Sequence, residues 1–153
     1  MAGLISAAGG CSNNGKTVIT SPDKQLRIVF LAETGTGSPG LILETGTGKE
    51  ILRSGIELKC NPALSSRDLM FIRSEEKSIR NSWTNEFGEK RIVPDNYNQT
   101  RIFLESNGVK LNLIIRAYNE GAAFAYEFPA QDSIDSLTVK DENPFPVRER
   151  HIV

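Results

Sequence analysis

Apolar side chains recur at every second position along most of the chain, which is the spacing of a half-buried β-strand. Within Gln25–Ala32, for example, Leu26, Ile28 and Phe30 share one face. No segment of about 11 residues keeps the 3.6-residue spacing of an amphipathic helix. Further strands are predicted at Leu41–Glu44, Glu50–Arg53, Gly55–Lys59 and Leu69–Ser74, the first two joined by a Gly/Thr-rich hairpin turn.

Asn107-Gly108 marks the clearest hairpin, because a two-residue turn needs positive φ at both central residues. Pairing outward from this turn matches charge with opposite charge and apolar with apolar: Glu105 faces Lys110, Leu104 faces Leu111, and Ile102 faces Leu113. The predicted register is therefore self-consistent on both faces of the hairpin.

A second turn, Asn119-Glu120-Gly121, is predicted to return the chain as the strand Ala122–Phe128, which Pro129 ends. Alternation places Ala122, Phe124, Tyr126 and Phe128 on one face, and Ala123, Ala125 and Glu127 on the other. The small residues of the second face are expected to let Leu113 and Ile115 pack closely. Arg116 is expected to stack near Phe124 and Tyr126 or to be a solvated strand residue, and the second is favoured.

The remaining segments carry weaker patterns. Ile134–Lys140 is predicted to be a further strand, and Arg80–Asn98, rich in Asn and Glu around Trp83, to be a long irregular loop. Together the elements form a meander of roughly 8–10 strands, which predicts an all-β fold, one large antiparallel β-sandwich.

Composition narrows the possible functions. The 153 residues suit about one domain, and 18 Lys+Arg against 19 Asp+Glu give a net charge of −1. Nucleic acid is therefore not an expected partner, because such proteins usually carry a basic excess. The single histidine, His151, argues against histidine triads and multi-histidine metal sites. No apolar run reaches the ~18 residues of a transmembrane helix.

The first residues, small and apolar up to Cys11, are similar to the end of a bacterial lipoprotein export signal, although a basic start is missing. This predicts a periplasmic protein or a membrane-anchored lipoprotein in a bacterium; the alternative is an unstructured leader with an incidental thiol. Gly10–Thr17 also fits the pattern of a phosphate-binding loop. A helix must follow such a loop, whereas β-branched residues and Pro22 follow here, so nucleotide binding is not predicted.

Four segments occur in a fixed order between residues 20 and 129. Thr20–Leu26 reads T-S-P-D-K-Q-L, Trp83–Glu89 reads W-T-N-E-F-G-E, Asn96–Asn98 reads N-Y-N, and Arg116–Pro129 reads R-A-Y-N-E-G-A-A-F-A-Y-E-F-P. In order and spacing they resemble the N-terminal domain of glycoside hydrolase family 97, enzymes that cleave α-glucosides and α-galactosides. The family pattern for the last segment is R-x-Y-x-x-G-[VA]-A-F-R-Y-x-F-P, so Ala125 stands where the family has arginine.

The resemblance implies a β-sandwich of the super-sandwich, galactose-mutarotase-like type over residues 17–140. Residues 1–16 would be a leader, and residues 141–153 a tail or a continuation. It further implies that a (β/α)₈ barrel carries the catalytic carboxylates and most calcium ligands, so calcium is expected in the full-length enzyme and no cofactor or metal in this chain. Because the family sandwich is longer, the chain is expected to be a truncated product or a fragment with an incomplete sandwich.

Candidate contact residues follow from the same resemblance. Trp83, Phe87, Glu89 and Asn98 are expected to meet the barrel or an oligosaccharide substrate, because aromatic faces and amide or carboxylate groups suit sugars. The alternatives are that Trp83 fills one end of the sandwich and that Asn98 is an ordinary loop residue.

Three functions remain open at this stage. The favoured one is the non-catalytic sandwich portion of a glycoside hydrolase, which packs on the barrel and helps wall its active site. The second is an autonomous carbohydrate-binding or interaction module. The third, an independent hydrolase, would need two carboxylates across the scissile bond, for which only Glu86 and Glu89 lie beside Trp83. No catalytic residue is assigned in this chain.

Overall fold

The computed structural model describes residues 15–33, 38–56, 58–61, 64–65, 68–87, 91–131 and 138–142. Cys11 and most of the predicted leader lie outside these ranges, as does the tail from residue 143 onward. The described residues form eleven strands: β1 Lys16–Thr20, β2 Leu26–Leu31, β3 Gly40–Thr45, β4 Glu50–Gly55, β5 Leu58–Asn61, β6 Leu64–Ser65, β7 Met70–Thr84, β8 Ile92–Ser106, β9 Val109–Ala117, β10 Ala122–Glu127 and β11 Thr138–Glu142.

The strands form three antiparallel sheets, and in the two larger ones neighbouring strands are consecutive in the chain. The first sheet has the order β1-β2-β3-β4, and the second has the order β10-β9-β8-β7. A small third sheet, β11-β5-β6, continues from the end of β4. The first two sheets pack face to face, which confirms the predicted all-β antiparallel sandwich.

The core lies between the two four-stranded sheets. Ile28 and Phe30 from β2 belong to the same buried cluster as Ile102 and Leu104 from β8, and all four are almost fully buried. Phe71 at the start of β7 contributes a partly buried ring, whose centroid lies 6.4 Å from that of Phe30. The period-two pattern of β2 and β8 therefore arises because only one face of each strand reaches the core.

The two hairpins of the second sheet test the predicted registers. Asn107 and Gly108 have φ of 51° and 79°, and the predicted pairs of Glu105 with Lys110 and Ile102 with Leu113 are both present. The prediction for the other hairpin is partly wrong. Leu113 pairs with Tyr126 and Ile115 with Phe124, so the buried aliphatic residues share a face with the aromatic rings and not with Ala123 and Ala125. Directly paired residues in a sheet project to the same side, which fixes this arrangement.

The predicted irregular loop at Arg80–Asn98 is wrong. Most of it belongs to β7 and β8, which pair without interruption from Arg73 opposite Phe103 to Thr84 opposite Ile92. The period-two signal is missing because both faces of this part of the hairpin are largely exposed. Pro94 is tolerated in β8 because this part of the strand has a single neighbour, so its nitrogen need not donate to the ladder.

The segment that matched the phosphate-binding pattern runs into a strand. Lys16–Thr20 forms β1, where a phosphate-binding loop would need the N-terminus of a helix. Within the described ranges, no helix has the length and apolar character needed to cross a membrane.

Candidate contact surface on the long hairpin

A two-stranded arm extends the β7–β8 hairpin beyond the rest of the second sheet. Strand β9 pairs with β8 only from Asn98 to Ser106. Residues 79–84 and 92–97 are therefore paired with each other alone, and we call this ribbon the arm. Six residue pairs at about 3.4 Å each give it a length of about 20 Å.

The end of the arm exposes three large apolar side chains. Trp83 is 53% exposed, Ile92 66% and Phe87 91%. At the end of the arm, Asn85 N donates to Arg91 O at 2.8 Å, and Phe87 N donates to Asn85 Oδ1 at 3.2 Å. Trp83 and Ile92 lie on opposite faces of the ribbon, because Trp83 pairs with Val93 and Ile92 pairs with Thr84. Exposed aromatic and aliphatic side chains are typical of surfaces that contact a partner.

The alternative prediction, that Trp83 fills one end of the sandwich, is wrong. Trp83 pairs with Val93 near the tip of the arm, and its ring projects from the face that carries Asn81, Asp95 and Tyr97. This is the outer face of the second sheet, because Thr100, Ile102 and Leu104 point to the core from the alternate positions of β8. Trp83 thus stands beside a carboxylate and an amide on an exposed strip.

The base of the arm carries a cluster of Tyr97, Tyr118, Arg116 and Gln99. The guanidinium carbon of Arg116 lies 4.6 Å from the centroid of the Tyr97 ring, and the rings of Tyr97 and Tyr118 are 5.0 Å apart. Arg116 Nε donates to Gln99 Oε1 at 2.9 Å, and the hydrogen bond to Tyr118 raises the pKa of Arg116. Both predicted surroundings of Arg116 are therefore wrong, since it stacks on Tyr97.

Sequence reasoning overlooked this cluster, although a signal was present. Tyr97 belongs to the N-Y-N segment, and Arg116 and Tyr118 are the first and third residues of the R-A-Y segment. Two separate motif segments thus meet at one cation–π contact. A hydrogen bond joins a third motif segment to the second: the backbone N–H of Asp23 donates to Asn119 Oδ1 at 3.1 Å.

Asn98 lies at the base of the arm and fastens the two sheets together. Its Nδ2 donates to the carbonyl oxygen of Thr20 at 2.6 Å, and its Oδ1 accepts from Ser78 Oγ at 2.8 Å and from Arg80 Nη2 at 3.0 Å. Asn98 is five residues from Val93, the partner of Trp83, which places the two about 17 Å apart along the strand and on opposite faces. The structure brings Trp83 and Phe87 to one end of the hairpin but not Asn98.

The carboxylates near the tip are only partly described. Glu86 is exposed in the loop, whereas Glu89 lies outside the described residues. In the described part of the chain, no three His, Cys, Asp or Glu side chains come together in a way that could hold a metal ion. The candidate surface therefore offers groups for binding: exposed aromatic rings at the tip of the arm, and hydrogen-bonded polar side chains toward its base.

Comparison with known proteins identifies relatives for most of the chain. A family model described as Glycosyl-hydrolase 97 N-terminal matches residues 19–150. Among solved structures, a glycoside hydrolase family 97 enzyme from Pseudoalteromonas sp. strain K8 in complex with panose superposes with a TM-score of 0.73 at 19% identity. The same enzyme in complex with acarbose gives 0.72 at 18% identity.

A beta-arabinopyranosidase has a similar fold, with a TM-score of 0.74 at 24% identity over 82% of this chain. The two Pseudoalteromonas superpositions also include 82% of this chain. The chain nevertheless spans only about a fifth of each enzyme: 19% of the Pseudoalteromonas chains and 20% of the arabinopyranosidase. These structural likenesses establish the fold, and the sequence match over residues 19–150 establishes the family. The chain belongs to the N-terminal domain family of glycoside hydrolase family 97.

Proposed function

We propose that this chain is the non-catalytic β-sandwich portion of a glycoside hydrolase, which packs on a (β/α)₈ barrel and helps wall its active site. The observation that carries the proposal is the arm, which holds Trp83, Phe87 and Ile92 in solvent at the end of the second sheet. The barrel supplies the chemistry in this account, and the sandwich supplies a shaped surface.

The arm has the physical character of an element that is completed by a partner. An isolated two-stranded ribbon is marginally stable in water, because neither face is buried. Burial of an aromatic side chain such as Trp83 or Phe87 at an interface contributes about 1.5–3 kcal/mol from its apolar area. Contact with a neighbouring domain would therefore stabilise the arm and fix its position at the same time.

The chemistry of the exposed strip supports a carbohydrate as the substrate class. Asp95 and Asn81 lie next to Trp83 on the outer face, so that a flat apolar ring stands beside groups that hydrogen-bond hydroxyls. The Pseudoalteromonas enzyme has been solved in complex with panose and with acarbose. An oligosaccharide substrate, an α-glucoside or an α-galactoside, is proposed on this basis for the assembled enzyme.

Complementation of a catalytic barrel tests the proposal. The barrel of a family 97 enzyme, produced without its own N-terminal domain, is assayed on chromogenic α-glucosides and α-galactosides with and without this chain. We expect no hydrolysis by the chain alone and increased hydrolysis by the mixture. Trp83→Ala should remove most of the increase. Met70→Ala is the matched control, because Met70 is 60% exposed at the opposite end of β7.

The autonomous binding module is the competing function, and the half-exposed Trp83 ring is the observation that favours it. Titration of the chain alone with panose separates the two. Saturable binding that is lost in Trp83→Ala, together with no effect on the barrel, would replace the proposed role with an independent carbohydrate-binding one. Hydrolysis by the chain alone, lost in Glu86→Gln or Glu89→Gln, would contradict both.

A further inference from the structure

Strand β1 forms one edge of the first sheet, and the backbone groups of every second residue point away from that sheet. Ser21 N donates to Leu26 O at 2.9 Å, in register with the β1–β2 pairs, so the odd-numbered residues of this segment bond to β2. Successive residues of a strand point their N–H and C=O groups to opposite sides. The backbone groups of Lys16, Val18 and Thr20 therefore point to the edge that no described strand covers.

The side chain of Asn98 agrees with this direction. It reaches Thr20 O from β8 of the second sheet, with its Nδ2 at 2.6 Å, so this carbonyl group points away from β2. The N–H and C=O groups of Lys16 and Val18 stand in the same row, and no strand pairs with them in the part of the chain that the structure describes. Unpaired backbone groups along an edge strand are a template for an added strand.

The inner face of β7 lies beyond this edge and is left uncovered. Glu76 pairs with Thr100, and Ser78 pairs with Asn98. Because directly paired residues share a face and Thr100 is almost fully buried between the sheets, Glu76 and Ser78 belong to the core-facing side of the second sheet. Both are nevertheless exposed, since β1 packs over β8 and β9. The first sheet thus ends one strand short of the second on this side.

The edge of β1 and the inner face of β7 enclose a cleft of about 210 Å³, which we call the slot. Its lining includes Val18, Thr20, Glu76, Ser78 and Asn98. We propose that the slot accepts one extended segment of the catalytic portion of the enzyme, which pairs with β1 and completes the first layer over β7. Strand addition of this kind draws its affinity from main-chain hydrogen bonds. The inference rests on the proposed function and adds a second contact region to the arm.

Continuity with the arm selects the catalytic portion as the occupant. The inner face of β7 runs from the slot directly into the arm, because Ser78 immediately precedes the first arm residue, Ile79. Trp83 follows five residues after Ser78, at a distance of about 17 Å along the strand. A domain that packs on the arm therefore reaches the slot. A second copy does not fit, because two sandwiches joined through their β1 edges would lie on the same side of the common sheet and their β7 strands would overlap.

The slot also specifies the side chains of the segment. Glu76 places a carboxylate on the floor of the slot, which favours a lysine or an arginine at the facing position. Ser78 and Asn98 favour a hydroxyl or amide side chain at the next inward position. On the outer side the segment would lie beside Val18, which favours a β-branched neighbour. The expected occupant is thus a segment of about five residues, the length of β1, with basic or polar residues alternating with β-branched ones.

Amide hydrogen exchange of the full chain tests the proposal, with and without a family 97 barrel produced without its own N-terminal domain. On addition of the barrel, the amides of Lys16 and Val18 should exchange at least about tenfold more slowly. The amides of Thr17 and Ile19 are internal controls, because they bond to β2 in both states. The emission of Trp83 in the same sample reports separately on contact between the barrel and the arm.

The two readouts distinguish the slot from the proposed function. A shift in Trp83 emission without slower exchange at Lys16 and Val18 would overturn the slot and leave the proposed function intact. The absence of both changes would contradict both. Slow exchange in the chain alone would show that the edge is already covered, and slowing that rises with chain concentration without the barrel would assign the edge to a second copy. Either result overturns the proposal.

Two substitutions test the slot through the affinity of the barrel. Glu76→Arg should weaken binding at least about fivefold, because the basic side chain expected at the facing position then meets a like charge. Glu120→Arg, in the exposed β9–β10 turn, changes the net charge equally and should leave binding unchanged. Val18→Pro removes the donor at the edge and keeps the bonds to β2, since proline is tolerated where the N–H of an edge strand faces outward, and it should also weaken binding. Unchanged affinity in both Glu76→Arg and Val18→Pro would contradict the proposal.

Discussion

Asn98 Nδ2 donates to the carbonyl oxygen of Thr20 at 2.6 Å, across 78 residues of sequence. The bond joins β1 of the first sheet to β8 of the second at the base of the arm. The same side chain accepts hydrogen bonds from Ser78 and Arg80 of β7. One amide group thus connects the sandwich with both strands of the hairpin that carries the proposed contact surface.

Asn98→Ala is expected to lower the free energy of unfolding by about 1–3 kcal/mol, because it leaves the partly buried Thr20 carbonyl and two donors of β7 without this partner. Urea denaturation measures the change. Asn96→Ala is the matched control two residues away on the same face of β8, and it should cost less than 1 kcal/mol, as roughly expected for a substitution outside the network. Equal losses for the two variants would show that Asn98 does not connect the sheets.

Gly46 lies in the turn between β3 and β4, where its N–H donates to Gln25 O at 2.6 Å. A Cβ at this position would collide with the carbonyl oxygen of Lys24. Gly46→Ala should therefore destabilise the protein by about 2–3 kcal/mol, measured by thermal or urea unfolding. Gly121→Ala is the control, since nothing lies within 4 Å of its Cβ direction. A loss at Gly121 as large as that at Gly46 would be inconsistent with the turn geometry.

The stack of Arg116 on Tyr97 predicts that a lysine cannot replace the arginine. Arg116→Lys keeps the charge but loses the planar group that covers the ring and donates to Gln99. We expect a loss of roughly 0.5–2 kcal/mol in the free energy of unfolding. Lys110→Arg, on an exposed position of the same strand, is the matched reverse exchange and should be nearly neutral. An unchanged free energy of unfolding in Arg116→Lys would show that the stack on Tyr97 does not stabilise the fold.

The Asp23 turn predicts a small dependence of stability on acid pH. The N–H of Gln25, and then the hydroxyl of Ser21, hold the pKa of Asp23 below its ordinary value of 3.8. Since the pKa is lower in the folded state, the carboxylate stabilises the fold above 3.8, and this contribution is lost as the pH falls through the folded-state pKa. Asp23→Asn should flatten that part of the unfolding profile. An unchanged profile would mean that these bonds are absent in solution.

Local features of the fold could be predicted from the sequence, and features that depend on distant contacts could not. The turn at Asn107-Gly108 fixes the β8–β9 register because φ preference and side-chain pairing agree within a few residues. The arm was not predicted because, apart from Tyr97 at its base, both of its faces are largely exposed and its polar side chains give no period-two signal. The motif segment around Trp83 drew attention to side chains that lie exposed on the arm. The bond between Asn98 and Thr20 depends on how the two sheets pack, which no local sequence pattern predicts.

Trp83 is the single tryptophan of the chain, so its fluorescence reports on the tip of the arm alone. The most direct test of the central claim is the emission of the full chain during separate titrations with a family 97 catalytic barrel and with panose. Packing of the arm on the barrel should shift the emission to shorter wavelength, because the half-exposed ring is buried, and panose alone should cause no shift. A saturable change with panose alone, with none on addition of the barrel, would contradict that claim.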